Sequence, residues 1–253
     1  MTGITEELIV GRNSVREALK SGRAINKLLV ARGEKHGSIV EIINMAHKQG
    51  LVVQEIEPAK LGNMSGGLRH QGIAAFVSPV PYSDVETILT AAYQKNEAPF
   101  IVLLDELEDP HNVGAILRTA DAAGVHGVLL PQRRSCSLSA TVAKTSAGAV
   151  EYVPVARIGN MTQEIEKLKK QGLWVVGADA EGDKDYFDVD LTGPLLVVVG
   201  NEGKGLGRLV KQQCDYLVRI PMHGRITSLN ASVACSLLLY EVLRQRDSKK
   251  RNP

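Results

Sequence analysis

Apolar residues over the first 78 positions alternate between short runs and spaced stripes. Leu8-Ile9-Val10, Lys27-Leu28-Leu29-Val30, Leu51-Val52-Val53 and Ile73-Ala74-Ala75-Phe76-Val77 are runs of strand length. Between them, Ile39, Ile42, Ile43 and Ala46 recur at helical spacing. Ser14, with Glu17 three residues on, reads as a capping box opening an earlier helix. The pattern predicts a small α/β sandwich over 1–78. Pro79 and Pro81 then mark an extended linker, because proline and the residue before it both resist helix. Val85, Ile88, Leu89 and Ala92 predict a connecting helix over 83–95, so that linker and helix together occupy 79–97.

A second pattern begins near residue 98. Phe100-Ile101-Val102-Leu103-Leu104, Val128-Leu129-Leu130, Leu173-Trp174-Val175-Val176 and Leu195-Leu196-Val197-Val198-Val199 are almost uninterrupted apolar runs. Strands of this kind suit a parallel sheet covered on both faces by helices, and helical stretches such as 161–171 lie between them. A last helix is predicted from about Asn230 to Arg246, leaving Lys249-Lys250-Arg251 as a frayed basic tail. The expected fold class is α/β with two domains, 1–78 and 98–253.

Composition adds exclusions. Net charge is only +2, and the chain up to residue 97 carries 11 basic against 10 acidic residues, the remainder 19 against 18. Neither half is a basic domain, so any nucleic-acid contact must come from a local patch. Aromatics make up 4% of the chain, too few for an extended base-stacking platform. Cys136, Cys214 and Cys235 form no CxxC pair and read as reduced thiols, with no metal site indicated. No apolar signal core opens the chain and no run approaches the ~20 residues of a membrane span. The expected location is the cytoplasm.

Three stretches carry candidate chemistry. The first, Asp105 to Arg118, follows an apolar strand and enters a helix in which Asn112 stands where an N-cap belongs. Val113, Ile116, Leu117, Ala120 and Ala123 form its buried stripe, and Arg118 points roughly the other way. Arg118 reads either as a solvated side chain paired with Asp121 or as a cation held over a pocket at a strand's carboxyl end. The second, Gly200-Asn201-Glu202-Gly203-Lys204-Gly205-Leu206-Gly207, matches neither GxxxxGK[ST] nor GxGxxG, and the Glu202 carboxylate would repel a phosphate. Its glycines open the backbone to a ligand without phosphates, or make a plain strand-to-helix turn. In the third, Ile220 to Ser232, Ser228 and Asn230 are either helix caps or substrate-holding groups.

Taken together, DPHNVGAILRTADAAG, VVVGNEGKGLG and IPMHGRITSLNASVACSLLLYEVLRQR resemble the SpoU (TrmH) family of RNA ribose methyltransferases, a branch of the knotted SPOUT class, over about residues 99–246. Val10-Gly11-Arg12-Asn13-Ser14-Val15 and Arg69-His70-Gln71-Gly72 are similar to the substrate-binding domain fused to some members. The resemblance implies a trefoil-knotted domain, an S-adenosylmethionine (AdoMet) methyl donor without metal, and a homodimer with its active site near the subunit interface. It implies a cofactor held largely by backbone at Gly200, Asn201, Gly203, Ile220, Met222, Ser228 and Leu229. It places Asn112, Arg118, Glu202, Ser228 and Asn230 on the catalytic positions. The most similar members methylate a guanosine ribose in 23S rRNA. The expected partner is RNA, with neither DNA nor membrane, and the candidate contacts are Arg12, Asn13, Arg23, Arg69, His70 and Gln71. The alternatives are a transfer-RNA ribose methyltransferase, whose short forms usually lack the N-terminal domain, a catalytically silent RNA-binding protein, and an NTPase, against which Glu202 and the missing phosphate loop argue.

Overall fold

The computed structural model describes residues 6–33 and 37–251. The chain forms two compact units. One holds the residues up to Pro81 together with Ser137–Tyr152, and the other holds Tyr82–Cys136 and the chain from Val153 onward.

In the first unit, β1 (Glu7–Val10), α1 (Arg12–Ser21), β2 (Ile25–Ala31), α2 (Ser38–Lys48), β3 (Val53–Ile56), α3 (Pro58–Met64) and β4 (Ile73–Val77) follow in order. The sheet runs β1-β4-β2-β3, with β4 antiparallel to both its neighbours and β3 parallel to β2. The third strand falls two residues later than the apolar run at 51–53. Gly50, at φ +69°, is still turning the chain, and Val52 is 60% exposed. As an edge strand β3 needs only one covered face, so polar Gln54 and Glu55 belong to it. The capping box is also corrected. Gly11 precedes α1 and its carbonyl takes the first helical bond, from Val15 N at 3.1 Å. Ser14 therefore lies on the buried side of the first turn and donates its hydroxyl to the Ala143 carbonyl at 3.1 Å.

The second unit contains α4 (Val85–Gln94), β5 (Phe100–Leu104), α5 (Pro110–Ala122), β6 (Gly127–Pro131), β7 (Val155–Ile158), α7 (Met161–Lys170), β8 (Trp174–Ala178), β9 (Lys184–Asp185), β10 (Leu195–Val199), α8 (Arg208–Gln213), β11 (Tyr216–Arg219) and α9 (Ala231–Arg251). Its sheet, ordered β7-β6-β5-β10-β8-β11-β9, is parallel throughout. Every residue of β5, β6 and β10 is buried, as uninterrupted apolar runs require. β10 enters between β5 and β8 after both are in place, and β11 then pairs on the far side of β8. This departs from the usual rule that consecutive strands neighbour one another. All carboxyl ends share one edge, so the loops after β5, β8, β10 and β11 collect there.

The helix expected to be a connector belongs to this core. Ile88 and Leu89 of α4 pack with Ile101, Leu103, Leu129 and Ile165, and a Cβ at Gly127 would stand 2.6 Å from Ile88. The basic tail is likewise not frayed, since α9 continues to Arg251. Arg246 ties it down, donating to the carbonyls of Ala98, Pro99 and Gly193 while lying 4.9 Å above the Phe100 ring.

Residues 137–152 correct the reading of 98–253 as one continuous domain. α6 (Ala140–Thr145) and a 3-10 turn at Ala149–Glu151 pack within the first unit, burying Val142, Ala143, Ala149 and Val150. Tyr152 donates to Glu17 at 2.7 Å. Arg23 donates to Glu151 at 2.7 Å, with both side chains 4% exposed, and also to Glu7 and the Ser78 carbonyl. Arg23 is therefore an interior ion-pair residue, not an RNA-facing one. A chain cut at residue 78 would lose Arg23 together with the body on which Val142, Ala143, Ala149, Val150 and Glu151 pack, exposing that apolar surface to water.

Cys136, Cys214 and Cys235 are not joined in disulfides. Burial pushes the Cys214 and Cys235 thiols up to about 12 and raises that of Cys136, so all three stay protonated. Among the described residues, no group of His, Cys, Asp and Glu is arranged to hold a metal, and no helix is long and apolar enough to cross a membrane.

Candidate active site at the carboxyl edge of the parallel sheet

The glycine loop after β10 folds back on itself. Gly205 N donates to the Asn201 carbonyl at 2.7 Å, and Gly205 adopts φ +64°. A Cβ at Gly200 would stand 2.3 Å from the Gly205 carbonyl, so no side chain fits there. Asn201 spans outward and inward: its amide donates to the Glu106 carbonyl at 3.2 Å, and its oxygen accepts from Gly203 N at 2.9 Å. The far end of the loop is pinned by Asp105, whose carboxylate accepts from Gly207 N at 2.7 Å.

Asp105 is 2% exposed. Burial raises its pKa, the Gly207 N–H partly opposes this, and the Glu106 charge adds to it. The folded protein therefore favours the protonated form more than the unfolded chain does. This contribution to stability is complete below the unfolded pKa and is lost as pH rises through the raised folded value. Asp105→Asn keeps an acceptor for Gly207 and removes the charge. Its Tm is expected to exceed the parent's at neutral pH, with the gap closing as pH falls below the ordinary carboxylate range. A gap that ignores pH in thermal melts would show that the buried charge costs nothing.

Asn112 is not the N-cap of α5. Asp109 caps it, accepting from His111 N at 3.0 Å, and Pro110 takes the first helical position, where its missing N–H is no loss. Asn112 thus lies inside the first turn and is buried. Its amide donates to Glu202 Oε1 at 3.0 Å, and its oxygen accepts from Asn230 Nδ2 at 2.9 Å. Glu202 Oε1 also accepts from Asn230 Nδ2 and, at 3.0 Å, from Ala231 N. Among the described residues no donor reaches Oε2. A carboxylate at the amino end of α9 is further favoured by the helix dipole. Of the two roles left open by the sequence, Asn230 takes that of helix cap. Its oxygen caps α9, accepting from Ser232 N at 3.0 Å and Val233 N at 3.3 Å, while its amide joins Asn112 and Glu202.

Of these three, Glu202 lines a cleft of about 1060 Å³, together with Gly200, Asn201, Gly203, Ile220, Met222, Ser228 and Leu229 among others. Its walls mix backbone with Ile220, Pro221, Met222, Leu229, Ala231 and Ala234. Two of its cations are already neutralised, Lys211 by Asp179 at 2.5 Å and Arg219 by Asp185 at 2.7 Å. Apolar walls, accessible backbone and little free positive charge fit an adenosine with a sulfonium tail better than a polyphosphate. Ser228 is exposed and makes no hydrogen bond among the described residues.

Arg118 stands apart. It is exposed, lies outside the lining of this cleft, and has neither Asp121 nor any other ion-pair partner among the described residues. Its neighbour Thr119 meets the Ser236 hydroxyl of α9 at 3.1 Å. On the same face of α9, Val233, Leu237 and Tyr240 form an exposed apolar stripe, 47, 37 and 51% exposed.

In the first unit, Arg12 N and Nε donate to Gln71 Oε1 at 3.0 Å and to its carbonyl at 3.2 Å. Asn13 accepts from Arg16 at 3.1 Å, and His70 Nδ1 accepts from Gly72 N at 3.1 Å. The Arg69 side chain is exposed. Sequence reasoning missed Asp105 and Asp109, though Asp109-Pro110 is itself a helix-start signal.

Residues 99–240 match the SpoU rRNA Methylase family, and residues 8–83 match the RNA 2'-O ribose methyltransferase substrate binding family. A Bacillus subtilis protein named for the TrmH family of tRNA/rRNA methyltransferases, YacO, is 48% identical over 241 residues, 95% of this chain and 96% of its own. The SpoU methyltransferase AviRb of Streptomyces viridochromogenes, crystallised with AdoMet, superposes with a TM-score of 0.81 at 29% identity, covering 96% of this chain and 91% of that one. An AdoMet-bound rRNA methyltransferase of Sinorhizobium meliloti gives 0.78 at 27%, covering 94% and 87%. Fold, cleft and relatives define an AdoMet-dependent RNA methyltransferase. The chain belongs to the SpoU rRNA methylase family.

Proposed function

We propose that this cytoplasmic enzyme methylates the ribose 2′-hydroxyl of a guanosine in 23S rRNA. The observation that carries the reading is the Asn112–Glu202–Asn230 cluster, which brings together three residues distant in sequence and reaches the cleft through Glu202. The match of 8–83 to a ribose methyltransferase substrate-binding family favours the 2′-oxygen, and similarity to the S. meliloti rRNA methyltransferase favours ribosomal RNA. Gly200, Asn201, Gly203, Ile220, Met222, Ser228 and Leu229 would hold AdoMet, largely by backbone. The cofactor supplies a methyl group on a positively charged sulfur. Holding the ribose oxygen in line with that methyl can contribute about 7–11 kcal/mol.

The hydroxyl must also lose its proton. An arginine, with a pKa above about 12, is a poor base, and Arg118 is better suited to stabilise the developing alkoxide or an adjacent phosphate. Glu202, with Oε2 unclaimed, takes the proton through a water, while Asn112 and Asn230 orient it. Ser228 positions the substrate. Arg118 lies outside its own chain's cleft on α5, a helix that packs on α9, which carries the exposed Val233–Leu237–Tyr240 stripe, and this supports a homodimer in which it serves the partner's site. Arg12, Asn13, Arg69, His70 and Gln71 contact the RNA.

The test is to map ribose methylation in RNA from a strain lacking this chain. Loss of one 2′-O-methylguanosine from 23S rRNA is expected. Loss confined to transfer RNA would transfer the reading to the alternative substrate.

A further inference from the structure

We propose that Lys144 completes an RNA-phosphate site with Arg12 and Arg69 in the first unit. The inference rests on the reading of that unit as the RNA-binding one and adds to it a residue from the 137–152 segment.

The Lys144 ammonium donates to the Arg69 carbonyl at 2.7 Å. It rests against Gly11, where a Cβ would stand 2.1 Å from Lys144 Nζ and 3.1 Å from Gln71 Oε1. Arg12 grips the same turn from the other side through Gln71. The 69–71 turn, with Gln71 at φ +54°, is thus held between two cations that bind it only through neutral oxygens. None of Arg12, Arg69 and Lys144 has a carboxylate partner among the described residues. Elsewhere in the unit, Arg16, Lys20, Arg23 and Arg32 are each paired with a glutamate. Burial lowers the Lys144 pKa, and the Arg69 charge lowers it further.

Like charges gathered without a counter-ion are relieved by an anion, and a phosphodiester supplies one. A lysine ammonium has three donors, so one can hold Arg69 while others remain for phosphate oxygens. Gly11 is favoured by its φ of +95°, and a side chain there would push the Lys144 ammonium aside.

A purely structural Lys144 would tie down the turn and do no more. Lys144→Gln keeps a donor for the Arg69 carbonyl and removes the charge, whereas Lys144→Arg keeps both. Full-length variants are titrated with deproteinised ribosomal RNA across a salt series, beside Arg69→Gln. Lys144→Gln is expected to flatten the dependence of log K on log salt by about 0.7, the share of one phosphate contact on single-stranded RNA. Lys144→Arg should restore the slope, with AdoMet affinity and Tm unchanged in both. A parental slope in Lys144→Gln beside a flattened one in Arg69→Gln overturns the proposal but leaves the first unit as the RNA reader. Parental slopes in both overturn the proposal together with that reading.

Discussion

Arg118→Ala is expected to lose methyl transfer by about 10²–10³-fold or more, the range for removing a preorganised electrostatic group, while AdoMet affinity stays near the parent's. Arg118 lies outside the cleft lining, so its loss leaves the cofactor's surroundings intact. Its exposed guanidinium lacks an ion-pair partner among the described residues, so truncation breaks no fold-stabilising pair. Arg118→Lys should recover little, because a point charge lacks the planar fork. Mixed dimers locate its action. If Arg118 serves the partner's cleft, exchanging Arg118→Ala subunits with Gly200→Val subunits regenerates about a quarter of the parental sites, since half the dimers are mixed and each gains one complete site. If Arg118 serves its own cleft, the mixture stays inactive. Near-parental turnover by Arg118→Ala alone would make the residue a solvated arginine.

Gly200→Val is expected to abolish saturable AdoMet binding. A Cβ at 200 would stand 2.3 Å from the Gly205 carbonyl carbon and oxygen and 2.6 Å from Leu206 N. These are backbone atoms that cannot swing aside, so the loop must open. Opening it displaces Asn201, Glu202 and Gly203 together, and with them the Glu202 contacts to Asn112 and Ala231. Calorimetry reads the cofactor loss, and circular dichroism separates it from unfolding. Folded Gly200→Val protein with parental AdoMet affinity would remove the glycine loop from the cofactor site. ATP titrated into the parent should give no binding heat, because the cleft's free positive charge is slight.

Strand content and pairing mode could be read from the chain because they depend on local pattern. Runs of five apolar residues at 100–104 and 195–199 call for cover on both faces, which a parallel sheet between helix layers provides. The helical stripe of α5 likewise follows from spacing alone. Where the pattern misled, a tertiary partner decided. α4 has an apolar face in either role, but only the folded chain shows that face packed on Ile101 and Leu129. β3 is polar in sequence, and the edge position that tolerates this is a property of the sheet.

The motif residues were legible, and their grouping was not. Asn112, Glu202 and Asn230 are named by three separate stretches, each of which has an ordinary local explanation. The sequence by itself determined which side chains were available and that the glycine loop matches neither phosphate-binding pattern. Only the tertiary structure decided that Glu202 gathers Asn112, Asn230 and the first amide of α9, that Arg118 stays outside this group, and that Arg23 is buried against Glu151. It alone placed Lys144 beside Gly11. Spacing along a chain sets which residues can share a helix face or a strand. Contacts across some 90 to 130 positions, such as Asn112–Glu202 and Arg23–Glu151, depend on how strands are ordered and segments packed, and that order is set by the burial of whole faces.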